Sequence, residues 1–520
     1  MNEPLQRPLS RIVIVGGGSA GWLTAGLLAS RHRTAGERGV QITLVESPDV
    51  ATIGVGEGTW PTMRASLEQI GISELEFLRE CSSAFKQGTQ FRGWVTGQAD
   101  DEYYHPFTAP TGYAEINLVP HWLAQHDSGS FAQAVSAQSY ICDASLAPKQ
   151  ATTPPYAGVL NYGYHLDAGK FAGLLQRHCT TQLGVRHVLD HVSCINNTAD
   201  GDIASVSTTH SGDLPGDLFI DCTGLSALLL GRHYRVPFID KADVLFNDSA
   251  LAVPVDYSSA QSPIASQTLS IAQSAGWIWD IGLTTRRGVG YTYSSQHTTD
   301  QAAEAVLHDY VARTAPSALP HFEARKISFR PGYRACFWHR NCVAVGMSAG
   351  FLEPLEASAL VLVELAATMI GEELPVHRGV MDIIARRYNE KFLYRWERVI
   401  DFLKLHYVLS RREGPYWVDH RQASSIPERL QELLHLWEYH APWHSDFHQR
   451  DEIFSSASYQ YILYGMGFST RASVRLVREV EAARAAQLFA ENRERAGHLL
   501  HHLPGHRELL RRLLESGSAR

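Results

Sequence analysis

The run at residues 11–21, RIVIVGGGSAG, leaves a chain very few folds. Residues 11–15 form a short β-branched run, glycines follow at 16, 18 and 21, and residues 22–30 carry apolar side chains at helical spacing. In such a strand–turn–helix the first glycine permits the tight turn and the second lets a phosphate reach the backbone. The third lets helix and strand pack closely. A second strand, expected at 41–45, ends on Glu46, which is placed to accept hydrogen bonds from an unphosphorylated ribose. The pattern predicts a β-α-β dinucleotide-binding unit whose helix N-terminus faces a pyrophosphate. The polar connection at 34–39 loops out between its helix and its second strand.

Past this unit, the glycine-rich segment 54–59 is too flexible for the interior of an element and is expected to be a loop, followed by a helix over 62–77. Residues 95–160, rich in Tyr, Pro, Gly and Ser, read as irregular. A helix is expected at 168–182, strands at 185–195, 203–208, 218–222 and 289–294, and a helix at 301–314. Apolar side chains then recur at helical period through 399–409, 427–439 and 471–492. A chain of 520 residues is too long for one compact layer system. It is therefore read as an α/β module over 1–375, interrupted by substrate-site segments near 61–150 and 226–330, and a largely helical module over 376–520.

A net charge of −8 without an uncompensated basic run argues against a nucleic-acid surface. The N-terminus lacks a charged start followed by an apolar stretch. The apolar run at 359–370 is interrupted by Glu364, so no membrane span is expected and the protein is read as soluble and cytoplasmic. Seven scattered cysteines without a C-x-x-C pair suit a reducing compartment and read as buried free thiols. His498, His501, His502 and His506 invite a metal reading, but Pro504 and Gly505 break their segment and no carboxylate or thiol completes a site. They read as a solvated helix end, and no metal is expected.

Two later segments select FAD over NAD. Residues 216–224, GDLFIDCTG, resemble the strand that returns to the flavin in glutathione-reductase-like flavoproteins, so the expected fold class is α/β with a Rossmann-type FAD module of that kind. Residues 341–346 read as a strand ending in glycine, and 347–352 lead into a helix near Pro354 whose positive end would face the flavin or an anion beside it. No second G-x-G-x-x-G follows a strand. Reduced FAD is therefore expected from a separate NAD(P)H flavin reductase.

Three further motifs resemble the flavin-dependent halogenases of the tryptophan halogenase family. Trp277-Ile278-Trp279-Asp280-Ile281 has the W-x-W-x-I pattern that separates these enzymes from flavin monooxygenases, with Gly282 where relatives commonly carry proline. Period two puts both indoles on one face of a strand, where a core strand is the plain structural reading. Ala84-Phe85-Lys86-Gln87-Gly88 resembles the segment that carries the essential lysine, and Phe85, Phe91 and Trp94 are expected to desolvate its ammonium. Residues 351–360, FLEPLEASAL, resemble the stretch with the second essential residue, matched by Glu356, and a halide site formed by the amides of Ser358 and Ala359. Glu353 reads as a first-turn carboxylate facing the helix dipole. Ala357-Ser358-Ala359 stands where relatives show Ser-Thr-Gly, which leaves open the choice between chloride and bromide.

The resemblance implies that Ser19, Ala20, Val55, Gly56, Val192, Met347 and Leu360 join Gly16, Gly18, Gly21 and Glu46 around the cofactor. It also implies that reduced FAD and O2 oxidise halide to hypohalous acid, which Lys86 holds by hydrogen bond or as a haloamine and delivers to an electron-rich ring. Glu356 would stabilise the ring cation and take its proton, or polarise the Lys86 adduct. His105 and Phe107 match positions that sandwich the substrate, with Trp277 and Trp279 screening it from the flavin, and Trp437, Trp443, Phe454, Tyr459 and Tyr464 are candidates for the opposite wall. Residues 454–461 do not resemble the part of the free-tryptophan enzymes that grips the amino-acid backbone, so indole or an indole derivative is the expected substrate. A flavin-dependent aromatic monooxygenase and a catalytically silent flavin-binding protein are the alternatives, and a homodimer is left open.

Overall fold

A computed structural model describes residues 8–32, 39–50, 56–98, 100–125, 129–449, 452–471 and 479–516. The chain forms two compact units. The first gathers residues 1–83, 166–241 and 329–396, and the second 84–165, 242–328 and 397–520. This division differs from a module over 1–375 followed by one over 376–520. The helices from Glu397 onward belong to the same unit as the inserted segments, and the 31-residue helix Arg378–Val408 carries the chain from one unit to the other. No described helix is long and apolar enough to cross a membrane.

At the centre of the first unit is the strand Arg11–Val15. It pairs in parallel with Leu218–Asp221 on one side and Gln41–Glu46 on the other. Arg186–Leu189 extends the sheet beyond Gln41–Glu46, and Cys342–Ala344 extends it beyond Leu218–Asp221, with Trp338–His339 antiparallel at that edge. Ile12, Val13, Ile14 and Val15 are all buried, as expected of a strand covered on both faces. The helix Ser19–His32 packs against Ala168–Thr181 and Ser358–Glu372, which brings the glycine turn and the start of the Ser358 helix into one layer.

Two elements divide where the sequence reads as continuous. The stretch 62–77 is two helices, Thr62–Ile70 and Glu74–Glu80, because Gly71 takes the left-handed conformation (φ 91°) that ends the first, and the Ser73 hydroxyl accepts the Glu76 N–H to start the second. The stretch 185–195 is two strands, Arg186–Leu189 and Val192–Asn197. Between them the Asp190 carboxylate accepts the amides of His191, His210 and Ser211 at 2.7–2.8 Å, which turns the chain out of the large sheet.

The second unit is built on a seven-stranded sheet in the order Arg325–Ser328, Ser249–Asp256, Arg286–Tyr293, Gly276–Gly282, Thr268–Gln273, Gly88–Arg92, Glu102–Pro106. Its pairings are antiparallel except between Thr268–Gln273 and Gly88–Arg92. The helix Asp300–Thr314 covers one face through Leu307 and Val311, against Ile278, Val289 and Tyr291. The strand Ala84–Lys86 lies outside this sheet and pairs antiparallel with Gly163–Leu166.

Candidate active site

In the first unit each glycine of the turn is required for a different reason. A Cβ on Gly16 (φ 113°) would lie 2.2 Å from the Cys222 carbonyl oxygen, and one on Gly21 would lie 1.9 Å from the Gly16 carbonyl oxygen. A Cβ on Gly18 meets nothing within 4 Å, so this glycine keeps space open at the helix N-terminus, as a pyrophosphate needs. Gly17, which has no role in the sequence pattern, makes room for Glu46: a Cβ there would lie 2.1 Å from its carboxyl carbon. The Trp22 indole N–H donates to Glu46 Oε2 at 3.3 Å, and His187 Nε2 lies 3.1 Å from the same oxygen. These residues fit a dinucleotide such as FAD.

Most of the other cofactor positions belong to this unit's loops and helix starts. The Ser19 hydroxyl donates to the Ala168 carbonyl, and Ala20 is so close to the turn Gly346–Ser348 that a Cβ on Gly346 would lie 2.8 Å from its own. Met347 is in that turn, and Leu360 is a buried residue of the helix Ser358–Glu372. Val192 begins its strand two residues after Asp190, whose amide donates to the Glu46 carbonyl at 2.9 Å. Gly56 precedes the two-residue strand Glu57–Gly58, and Val55 lies outside the described residues.

The Glu356 segment is bent into an uncommon shape. Glu356 (φ 63°, ψ 6°) and Ala357 (φ 54°, ψ 42°) are both left-handed without being glycine, and Ser358 (φ −76°, ψ −14°) returns to the right-handed region. A left-to-right reversal at a helix start is a backbone geometry in which successive amides can converge on an anion. Each left-handed residue costs on the order of 1–2 kcal/mol. The Trp60 indole N–H offsets part of that by donating to the Glu356 carbonyl at 2.8 Å, and the Ala357 amide donates to Pro354 at 3.1 Å. Ala359 is itself helical, so its backbone conformation does not call for glycine. Glu353 is buried at 2% exposure and lies five residues before the helix Ser358–Glu372, outside its first turn.

Glu364, read in the sequence only as an interruption of an apolar run, is a buried acceptor in the same helix. Ser66 Oγ donates to it at 2.5 Å and Thr62 Oγ1 at 3.1 Å, and burial pushes its pKa up to about 7. The folded chain therefore takes up this proton at higher pH than the unfolded chain, whose glutamate titrates near 4.5. Stability is expected to fall as pH rises from about 4.5 to 7, by on the order of 2–3 kcal/mol from this group. Glu364→Gln should flatten that slope in urea-unfolding midpoints measured across the window.

Lys86, in the second unit, is 1% exposed, and its ammonium lies 5.3 Å from the centre of the Phe107 ring. The ring against its ammonium is that of Phe107. Phe85 alternates to the opposite strand face, while Phe91 and Trp94 pack with Tyr103 and His406. Lys86 faces Gly163, and His165 faces Ala84, so Lys86 and His165 share one face of the strand pair. Burial first, and then the Lys86 charge, hold the His165 pKa well below the usual histidine range, and its Nε2 lies 2.8 Å from Thr268 Oγ1. The Phe107 amide donates to the Gln87 carbonyl at 3.1 Å, which ties the ring to the lysine strand.

His105 is buried, with its ring 5.6 Å from Phe402 and 6.2 Å from Tyr461. Phe402 stacks on Phe454 at 3.7 Å, and the Tyr461 hydroxyl donates to the Thr108 carbonyl. Phe402 carries no sequence signal beyond helical period, and Tyr461 enters the sequence reading only as the end of the segment 454–461. Of the other candidates for that wall, Trp437, Tyr459 and Tyr464 are in the core, and Trp443 packs on Tyr113. Trp277 is 1% exposed and packs on Trp94 at 6.2 Å, the behaviour of a core strand, while Trp279 fills the space over Gly290. His506, grouped in the sequence with a solvated helix end, is 1% exposed.

The glycine geometry separates two substitutions. Gly21→Ala is expected to lower the melting temperature, because its Cβ collides with backbone. Gly18→Ala should leave melting near wild type and weaken FAD binding roughly tenfold or more, as read by flavin fluorescence quenching.

The sequence profile of the tryptophan halogenase family matches residues 11–482. The tryptophan 7-halogenase RebH of Lentzea aerocolonigenes is 30% identical over 97% of this chain and 98% of its own. The tryptophan 6-halogenase SttH of Streptomyces toxytricini is 32% identical over 96% and 97%. A crystal structure of a tryptophan halogenase from Shewanella frigidimarina superimposes with a TM-score of 0.96 at 49% identity, covering 99% of both chains. The chain belongs to the tryptophan halogenase family and is a flavin-dependent halogenase.

Proposed function

We propose that this halogenase places chlorine or bromine on an indole or indole derivative, with Lys86 delivering the halogen. Bound reduced FAD, supplied by a separate flavin reductase, provides with O2 the oxidising power that converts halide to hypohalous acid. The turn Gly16–Gly21 and Glu46 would bind its pyrophosphate and ribose, and the amides of Ser358 and Ala359 would hold the halide without a cationic side chain. Lys86 would hold hypohalous acid by hydrogen bond, or, once its ammonium has given a proton to water, as a haloamine formed by the neutral amine with loss of water, and present electrophilic halogen to a ring held by His105 and Phe107. Glu356 is the second catalytic group in this reading.

The observation that carries it is the burial of the Lys86 ammonium against an aromatic ring, a cost with no purpose on a surface. The choice of indole over free tryptophan rests on residues 454–461. Phe454 stacks on Phe402, Tyr459 is buried in the core, and the Tyr461 hydroxyl is bonded to backbone, which leaves these groups committed to packing rather than to an amino acid's charges. The test supplies FAD, NADH, a flavin reductase, bromide or chloride, and a panel of indoles and phenols, with halogen isotope patterns read by mass spectrometry. Wild type should give a monohalogenated indole, and Lys86→Ala should lose at least ~10²-fold of it. A halogen-free hydroxylated product, or halogenation unaffected by Lys86→Ala, would contradict the reading.

A further inference from the structure

His506 has no part in the chemistry above, yet it is buried in the second unit at 1% exposure beside the lysine strand. The Phe85 amide, one residue before Lys86, donates to His506 Nε2 at 3.0 Å. His506 Nδ1 lies 3.2 Å from the Ile264 carbonyl oxygen and 3.4 Å from Ser266 Oγ. These partners determine the tautomer: a backbone amide can only donate and a backbone carbonyl can only accept, so Nε2 carries the lone pair and Nδ1 the proton. Burial, with Arg507 nearby, pushes the imidazole down to about 4, which keeps it in this neutral form.

The surroundings hold His506 in place and tie the other side of Lys86 to the same structure. The His506 amide donates to the Ser145 carbonyl, the Ala147 amide donates to the Pro504 carbonyl, and Leu146 bridges Gly505. The Leu146 carbonyl accepts from Gln87 Nε2 at 2.8 Å and from Ser266 Oγ at 2.7 Å, while the Gln87 amide donates to the Ser266 carbonyl at 2.7 Å. Lys86 is thus flanked by two residues anchored to one cradle, by Phe85 through His506 and by Gln87 through Leu146 and Ser266. The Phe85 ring packs at 5.1 Å from Tyr162 and 5.8 Å from His506, which commits that side chain to the face away from Lys86.

We propose that His506 is a positioning residue for halogen delivery: its Nε2 lone pair holds the Phe85 amide and thereby sets the direction from which Lys86 presents its nitrogen. The inference rests on the proposed role of Lys86. When the lysine strand shifts, hypohalous acid is still made, but less of it reaches the ring and more escapes to solvent. The expected signature is a change in partition between product and free hypohalous acid, without loss of flavin oxidation.

Two substitutions divide the imidazole's functions. His506→Gln places an amide oxygen near the Nε2 position and keeps an acceptor for Phe85, whereas His506→Asn keeps only a donor toward Ile264. Halogenated indole and free hypohalous acid, captured by a solution trap such as monochlorodimedone, are measured per flavin oxidised, with the reductase and bromide present. The Gln variant should keep the wild-type ratio, and the Asn variant should lower the product-to-trap ratio roughly tenfold at unchanged halide KM. The ratio reports folded molecules only, because an unfolded chain makes neither species. If the Asn variant does not fold, His506→Ala supplies the same contrast with Gln. Equal ratios in the acceptor-bearing and acceptor-lacking variants would overturn the inference. Lys86→Ala is the control: if it leaves the ratio at the wild-type value, the reading of Lys86 fails, whereas a normal Lys86 effect with equal His506 variants refutes only the positioning role.

Discussion

The second unit is organised around an ammonium group removed from water. Burying Lys86 costs several kcal/mol unless its surroundings compensate, and a flexible four-carbon side chain would leave a poorly fixed site for other positions. The structure meets this with backbone. The strand Ala84–Lys86 is paired to Gly163–Leu166, with Lys86 opposite Gly163, and its flanking residues are tied to Ser266, Leu146 and His506. Phe107 then covers the ammonium with a ring face, which attracts a cation without accepting a proton from it.

The first unit solves a different problem with similar means. Both of its candidate anion sites are made of amides: the glycine turn at the start of Ser19–His32, and the reversal at Glu356–Ser358 before Ser358–Glu372. The two helices pack against each other. The Trp60 indole on the Glu356 carbonyl, and the Ser66 and Thr62 hydroxyls on Glu364, hold the helix Thr62–Ile70 to the Glu356 segment at two points eight residues apart. The carbonyl of the left-handed Glu356 is thus held by Trp60, two residues before that helix begins.

Much of this was legible in the sequence because it depends on local chemistry. Gly16, Gly18 and Gly21 are required by collisions with backbone or by open space, Glu46 follows from its place at a strand end, and Lys86 and Glu356 are carried by short motifs. Less legible was whatever depends on distant packing. Gly17 has meaning only once Glu46 lies over it, His506 only once the turn before its helix pairs with residues 145–147, and Trp277 is a core residue because Trp94 packs on it from the bend after Gly88–Arg92. Of the setting of Lys86, the burial was legible, while the Phe107 ring against its ammonium was not, and strand alternation turns Phe85 to the other face. The division of the chain was hidden for the same reason, since nothing in residues 397–520 announces that they fold with 84–165 and 242–328.

The central claim is that the second unit directs electrophilic halogen through Lys86, and it can be separated from the flavin chemistry. Hypobromous acid supplied chemically, in stoichiometric amount, to flavin-free protein holding a 3-substituted indole replaces the oxidative half of the reaction. The regioisomers of bromoindole are then compared among wild type, Lys86→Ala and buffer alone. The account predicts a distribution narrowed to one principal isomer in wild type, and a return to the buffer distribution in Lys86→Ala. Identical distributions in all three, or the same narrowing with and without the lysine, would contradict it.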